Sequence, residues 1–206
     1  MKKILLIITT FLFIASTVFP QTKVNEVYLL EYDGKKYLPT SEKPYTGEVF
    51  DLHKRTGKKK LEGQYRNGMK DGKWTRYRQD GKKREKGSYN NGKKVGTWIR
   101  WDISGQKMEE AEHKDGKQHG KKISWNRNGK KYWERNYNMG SQTGKSTYWF
   151  ENGQKKSEET YKDGQRNGKS TDWYENGQKK EEGTYKDGEK DGLRTRWMEN
   201  EQKWYE

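Results

Sequence analysis

The fold is decided by a stretch that returns to its own starting pattern: residues 161–188 read YKDGQRNGKSTDWYENGQKKEEGTYKDG. The opening YKDG comes back at Tyr185, 24 residues after Tyr161, and the same spacing holds along most of the chain. A fixed period of about 20–50 residues is the signature of a repeat array. The sequence therefore predicts a repeat protein.

Several columns of residues carry this repeat. Three columns of glycine hold 18 of the 23 glycines, although Glu201 takes a glycine position in the last unit. One aromatic column contains Tyr65, Tyr89, His113, Tyr137, Tyr161 and Tyr185. A second contains Tyr77, Trp101, Trp125, Trp149, Trp173 and Trp197. A lysine column contains Lys83, Lys107, Lys131, Lys155, Lys179 and Lys203.

Each unit has two turn signals. One set includes Asn128-Gly129, Asn152-Gly153, Asn176-Gly177 and Asp80-Gly81, which favour two-residue type I′ hairpin turns. The other set includes Asn67-Gly68 and Asp163-Gly164. The segments between turns are about 7–10 residues long and rich in Thr, Trp and Tyr, which is typical of strands. The prediction is an all-β, single-layer antiparallel meander, a solenoid of hairpins that advances ~9.6 Å per repeat.

The predicted turns set a register. A two-residue turn at Asn152-Gly153 places Trp149 opposite Lys156, and the same rule pairs Trp101 with Met108 and Trp197 with Trp204. Strand alternation then puts Tyr161 on the face opposite Trp149. We expect a bulge at the Gly168 column to bring both aromatic columns to one face. The Trp101–Trp197 column is then expected in the core, whereas Trp74, Trp98 and Trp133 are expected at the surface.

Composition excludes a conventional globular enzyme. The chain has 45 Lys and Arg, 30 Asp and Glu, and a formal charge of +15. Only 15 of its Leu, Ile, Val and Phe residues follow residue 21, too few for an aliphatic core. Trp and Tyr, however, number 23. The absence of Cys excludes disulfides and thiolate sites.

The chain divides into three parts. Residues 1–21 are interpreted as a secretory signal, because Lys2 and Lys3 precede an uncharged run at 4–19 that is short for a membrane span of about 20 residues. An exported product is predicted (periplasmic, envelope-associated or secreted), with an uncleaved anchor as the alternative. Residues 22–44 are predicted to form a capping hairpin around Asp33-Gly34 that shields a sheet edge. Residues 45–206 form the array.

The repeat resembles a known family. Segments such as YKDGQRNG at 161–168 and WYENGQ at 173–178, with the entry KPYTGEV at 43–49, resemble the MORN repeat variant found in proteins labelled YwqK-type antitoxins. The resemblance covers about residues 44–206. It implies a β-hairpin solenoid with a non-enzymatic, partner-binding role, and its label implies the neutralisation of a toxin.

No catalytic, metal or cofactor site is predicted. The three histidines are scattered and expected in exposed loops, and the carboxylates of the Glu110–Glu206 column share one repeated environment, which singles out no acid or base. The lysine column is either a solvated face that blunts aggregation or a surface for an anionic envelope polymer or lipid head groups; export disfavours nucleic acid. The second aromatic column is either core or a carbohydrate-stacking surface. The hypothesis is an exported binding or scaffolding surface for a protein or envelope component.

Overall fold

A computed structural model describes residues 23–200 and 202–205. The predicted signal segment lies outside the described residues. The described part is built from strands, with a single short 3₁₀ helix at Glu26–Tyr28. The strands are β1 (Val24–Asn25), β2 (Leu30–Tyr32), β3 (Lys35–Tyr37), β4 (Gly47–Leu52), β5 (Lys59–Arg66), β6 (Met69–Tyr77), β7 (Lys83–Asn90), β8 (Lys93–Trp101), β9 (Lys107–Lys114), β10 (Lys117–Trp125), β11 (Lys131–Asn138), β12 (Ser141–Trp149), β13 (Lys155–Lys162), β14 (Gln165–Trp173), β15 (Lys179–Lys186), β16 (Glu189–Trp197) and β17 (Lys203–Tyr205).

The strands form one long sheet. From β4 to β17 the order in the sheet follows the order in the chain, and every neighbouring pair is antiparallel. β1 adds a short parallel edge beside β4, with Val24 opposite Val49. β2 and β3 form a separate hairpin. The all-β hairpin meander with a 24-residue period is confirmed.

One edge of the sheet is lined by two-residue turns. Asn67 and Gly68 both have positive φ, at 49° and 78°, and the flanking residues Arg66 and Met69 are paired. This is type I′ geometry, which suits the right-handed twist of the strands. The equivalent position in another unit is Met139, with φ 47°, where a long side chain occupies a conformation that Asn or Gly adopts more easily.

The opposite edge has longer turns, and the register predicted for it is wrong. At Asn152-Gly153 only the glycine is left-handed; Gly153 N–H donates to Phe150 O and Phe150 N–H donates to Gln154 O, each at 2.9 Å. This is a type I turn followed by a glycine bulge, and Asn152 Oδ1 accepts the Gln154 N–H instead of entering the left-handed region. Consequently Trp149 pairs with Lys155, and in other units Trp101 pairs with Lys107 and Trp197 with Lys203.

The bulge at the Gly168 column is present, but its predicted consequence is wrong. Glu159 pairs with Ser170 and Tyr161 pairs with Arg166, so three residues of β14 stand opposite Thr160. The bulge therefore adds two residues to β14. Because side chains alternate between the two faces of a strand, an even number of extra residues leaves this alternation unchanged. The two aromatic columns therefore lie on opposite faces. We call the side with the Tyr77–Trp197 column the repeating face and the side with the Tyr65–Tyr185 column the variable face.

The core lies at the N-terminal end of the variable face. It consists of Leu29, Tyr45, Val49, Leu61, Tyr65 and Trp74, with Val24, Leu38 and Tyr89 packed beside them. Backbone hydrogen bonds hold the β2–β3 hairpin here, because Lys36 N–H donates to Gly68 O at 2.9 Å and its carbonyl accepts from Tyr45 N–H at 2.7 Å. Residues N-terminal to the array thus cover its first unit.

The predicted burial of the tryptophans is wrong for Trp74 and Trp98 and for the Trp101–Trp197 column. Trp74 and Trp98, predicted at the surface, are 2% and 5% exposed. Trp133 and every member of the Tyr77–Trp197 column are only half-buried. Trp74 and Trp98 are buried because each indole lies across a glycine of the neighbouring strand, Gly63 or Gly87, and can therefore lie close to the sheet.

Candidate functional site

The repeating face brings the lysine column and the second aromatic column together. Lys131 Nζ lies 5.5 Å from the centroid of the Trp149 ring, and Lys155 lies 5.6 Å from Trp173. Lys107 and Trp125, at 5.0 Å, and Lys179 and Trp197, at 5.5 Å, repeat the arrangement. Since Trp149 also pairs with Lys155 across the hairpin, lysines and rings alternate along the sheet. This cation–π series joins consecutive repeats.

A glutamate neutralises each of these lysines. Lys131, Lys155 and Lys179 donate to Glu134, Glu158 and Glu182 at 2.7, 2.9 and 2.7 Å. A second lysine reaches each glutamate from the neighbouring strand: Lys121, Lys145 and Lys169, each at 3.0–3.1 Å. Two lysines thus share each glutamate, so each of these three units keeps one positive charge on this face.

These ion pairs shift the glutamates toward the charged form. The Lys155 ammonium lowers the pKa of Glu158, against the opposing effect of burial, and Lys145 lowers it further. Burial opposes ionisation of Glu134, but the pairs with Lys131 and Lys121 outweigh it, so its pKa is also below 4.5. At the start of the array, burial and a hydrogen bond to Glu62 raise the pKa of Tyr77 to about 12.

One unit breaks this pattern. Lys83 has neither an ion pair nor a ring contact within the described residues, and the position three residues later is Lys86 where the other units have glutamate. Without a carboxylate to hold it, the ammonium has no reason to stay over Trp101. The Lys–Glu pair is thus what positions the lysine over the ring. Lys203, the last member of the lysine column, is paired with Trp197 in the register of β16 and β17.

The variable face begins as a row of aromatic rings. Tyr45, Tyr65, Trp74, Tyr89, Trp98 and His113 follow one another edge to face, with centroid separations of 4.9–6.5 Å. The Trp74 and Trp98 indole N–H groups each donate to a backbone carbonyl at 3.1 Å. Lys94 Nζ lies 3.8 Å from the Trp98 centroid.

From His113 onward the row becomes polar. His113 and His119 are half-buried strand residues, so the prediction of exposed loop histidines is wrong for both, and burial lowers the pKa of His113. The positions equivalent to Trp74 are Lys122, Ser146, Ser170 and Arg194. Glu159 is 7% exposed and pairs with Arg166, while the Tyr161 hydroxyl donates to it at 2.7 Å. The residue types of this face thus change from unit to unit.

A shallow cleft lies on the variable face where the aromatic row ends. Its volume is about 300 Å³, and residues of five consecutive strands, β6 to β10, line it. Trp98, Ala111 and His113 line it together with charged side chains: Arg76, Arg84, Lys94, Arg100, Glu85 and Glu109. No member of the two predicted site columns belongs to this cleft. A signal was nevertheless present, because the residues at the positions of Trp98, Ala111 and His113 change between units, although Arg76 and Arg100, like Glu85 and Glu109, are 24 residues apart.

The charge of the chain is unevenly distributed. Residues 45–108 contain 18 basic and 7 acidic residues, a net charge of +11. Residues 157–206 contain 10 basic and 13 acidic residues, a net charge of −3. The cleft lies at the border of the strongly basic part. A partner that prefers positive charge therefore meets it in the first units of the array.

Among residues 23–200 and 202–205, no group of three or more His, Asp or Glu has the arrangement of a metal site. No helix in this part of the chain is long and apolar enough to cross a bilayer.

Comparison with protein families places these hairpins in context. Residues 70–91, 142–163 and 166–187 match the MORN repeat variant. The three matched segments are in phase with the 24-residue period. Each contains one hairpin with the longer kind of turn and ends on the first residue of the two-residue turn that follows it. A search of curated proteins found no significant match. The unmatched units between 91 and 142 contain His113 and Met139, where the matched segments have Tyr and Asn or Asp.

Proposed function

We propose that this chain is an exported, non-enzymatic binding or scaffolding protein whose variable face docks a protein partner of the cell envelope. The observation that carries the proposal is the contrast between the two faces. Every unit needs the same contacts with its neighbour, so the residues that make these contacts should repeat from unit to unit. Residues that contact a partner do not need to repeat.

The repeating face fits the first role. Its lysines, glutamates and rings contact one another within the array, as in the series Lys131, Trp149 and Glu134. These contacts also reduce the support for two alternatives. A lysine lies over each ring from Trp125 to Trp197, which hinders stacking of sugars, and the glutamates reduce the attraction of these lysines for a polyanion.

The variable face fits the second role. Its side chains differ between units, it carries the cleft, and it holds exposed groups such as Arg76 and Arg100. A flat sheet with shallow relief suits a protein surface better than a small substrate, which binds in a deep pocket. The match to the MORN repeat variant supports a non-catalytic module of this kind.

Export and toxin neutralisation are finer proposals. Export is supported by the basic start and the apolar run at 4–19, and N-terminal sequencing of the protein from its native cells tests its cleaved form: a start near residue 21 supports cleavage, whereas an intact Met1 contradicts cleavage and fits the uncleaved anchor. An antitoxin role is supported only by the resemblance stated above. It predicts that a captured partner is toxic when expressed alone.

Paired surface variants test the docking face. The tagged full chain is produced in its native cells, and captured proteins are quantified by mass spectrometry. We expect Arg100→Gln with Tyr148→Ser, on the variable face, to lose the partner. Thr97→Gln with Lys145→Gln, on the same two strands but the other face, should retain it. Loss only with the second pair would contradict the proposal, as would capture of the same proteins by all variants.

A further inference from the structure

The cleft between β6 and β10 holds basic groups that the rest of the protein does not neutralise. Arg76 and Arg84 are exposed, and within the described residues neither side chain makes a hydrogen bond or an ion pair. Two further cations of the cleft have long ion pairs: Lys94 with Glu85 at 3.4 Å, and Arg100 with Glu109 at 3.6 Å. The pairs of the repeating face measure 2.6–3.1 Å.

The sequence places this group of arginines in the first half of the array. In later units the position of Arg76 is held by Arg100, Ser124, Tyr148, Asp172 and Arg196, and the position of Arg84 by Met108, Tyr132, Lys156 and Lys180. Arg76, Arg84 and Arg100 thus stand on the neighbouring strands β6, β7 and β8, and after them these positions hold no guanidinium until Arg196. Arginine presents a planar fork of donors that fits a carboxylate with two parallel hydrogen bonds.

The shape of the cleft defines the length of a ligand. Five neighbouring strands at ~4.8 Å spacing extend over about 19 Å, measured across the strands. An extended peptide advances about 3.3 Å per residue, so about six residues cover this distance. The cleft is open and shallow, which an extended backbone can follow along the sheet.

The arrangement of charges favours spaced carboxylates over one phosphate group. The arginines stand on three neighbouring strands, so their backbones are spaced ~4.8 Å apart from strand to strand. Glu85 and Glu109 stand among them and would repel a concentrated dianion. A peptide with several carboxylates can place each beside one guanidinium and leave room for both glutamates.

We propose that this cleft binds an extended acidic segment of a partner protein through Arg76, Arg84 and Arg100. The inference rests on the proposed function, because it names the chemistry of the partner at the variable face. The aromatic floor at Trp98 and His113 gives the segment a flat surface to lie on.

Fluorescence anisotropy of the purified chain with a labelled octa-glutamate peptide tests this inference. We expect binding to the wild type, and Arg76→Gln with Arg84→Gln to weaken it about tenfold or more, because charge-assisted hydrogen bonds are lost. The matched control, Lys145→Gln with Lys169→Gln, removes the same charge from the repeating face and should change the affinity less than about threefold. Thermal melts followed by circular dichroism establish that both variants are folded.

Three outcomes would overturn the inference. The first is no binding of octa-glutamate, and the second is an equal loss in both double variants, which would indicate attraction by net charge alone. The third is that the chain binds an octa-serine peptide with one phosphoserine more tightly than it binds octa-glutamate, which would assign the cleft to phosphate. If the native partner is still captured through the variable face, each of these results leaves the proposed function standing.

Discussion

The indole of Trp74 lies directly on Gly63: a Cβ atom built at the glycine would stand 2.3 Å from indole Cδ2. Gly87 and Trp98 repeat this relationship at 2.2 Å from the same atom type. The absence of a side chain on one strand thus allows a large ring on the next to be buried in a sheet with few aliphatic residues.

Gly63→Ala is expected to destabilise the protein by about 1–3 kcal/mol, because the methyl group displaces a buried ring. Gly183→Ala is the matched control; there the nearest atom is Cγ of the flexible Arg194 side chain at 2.9 Å, so the loss should be smaller. Urea unfolding of both variants measures the difference. Equal losses would show that the contact between ring and glycine is not what matters.

Met139→Asn is expected to stabilise the protein by roughly 1 kcal/mol, because Asn tolerates the left-handed conformation that Met139 adopts at φ 47°. Met139 is 40% exposed, so little apolar burial is lost. Met198→Asn is the control, since Met198 is similarly exposed but does not have positive φ. A rise in Tm for both variants, or for neither, would contradict this explanation.

Acid should weaken the contacts between repeats. Folding lowers the pKa of Glu134, Glu158 and Glu182, so the folded state binds fewer protons than the unfolded state. The resulting stability is present above pH 4.5, the ordinary glutamate pKa, and is lost as the pH falls through the lower folded values. Glu158→Gln should flatten the fall of Tm below pH 4.5, whereas Glu151→Gln, at an exposed turn, should leave it unchanged.

His113 predicts a second dependence, at higher pH. Burial lowers its pKa below 6.5, so protonation favours the unfolded chain and stability declines as the pH falls from 6.5. His113→Tyr, which restores the aromatic column beside Trp98, should remove this decline and raise Tm at pH 6. His53→Tyr serves as a control at another histidine. A decline that persists in His113→Tyr would assign it to other groups.

The repeat and its strands are predictable from sequence because glycines mark the turns, aromatic residues mark the strands, and both recur with the 24-residue period of the hairpins. The register was missed because an Asn-Gly pair occurs in two kinds of hairpin turn. At Asn152 the side chain accepts the Gln154 N–H and the turn gains a residue, which shifts Trp149 from Lys156 to Lys155.

The burial of Trp74 and the position of the cleft were harder to predict for a related reason. Both depend on residues that face each other across strands and do not repeat. The sequence does contain a sign of them, since Gly63 and Gly87 stand in the two units that have Trp74 and Trp98, although Gly183 occupies the same column opposite Arg194. These glycines can be matched to the tryptophans only when the bulge at the Gly168 column is known to add two residues to its strand.

The central claim is that one face builds the array and the other meets the partner. Site-specific photo-crosslinking in native cells tests it most directly, with the photoreactive residue at Tyr148 or Lys145 on β12, and at Arg100 or Thr97 on β8. We predict crosslinks to one partner from Tyr148 and Arg100 and none from Lys145 and Thr97. Crosslinks from Lys145 and Thr97 alone, or equally from all four positions, would contradict the claim.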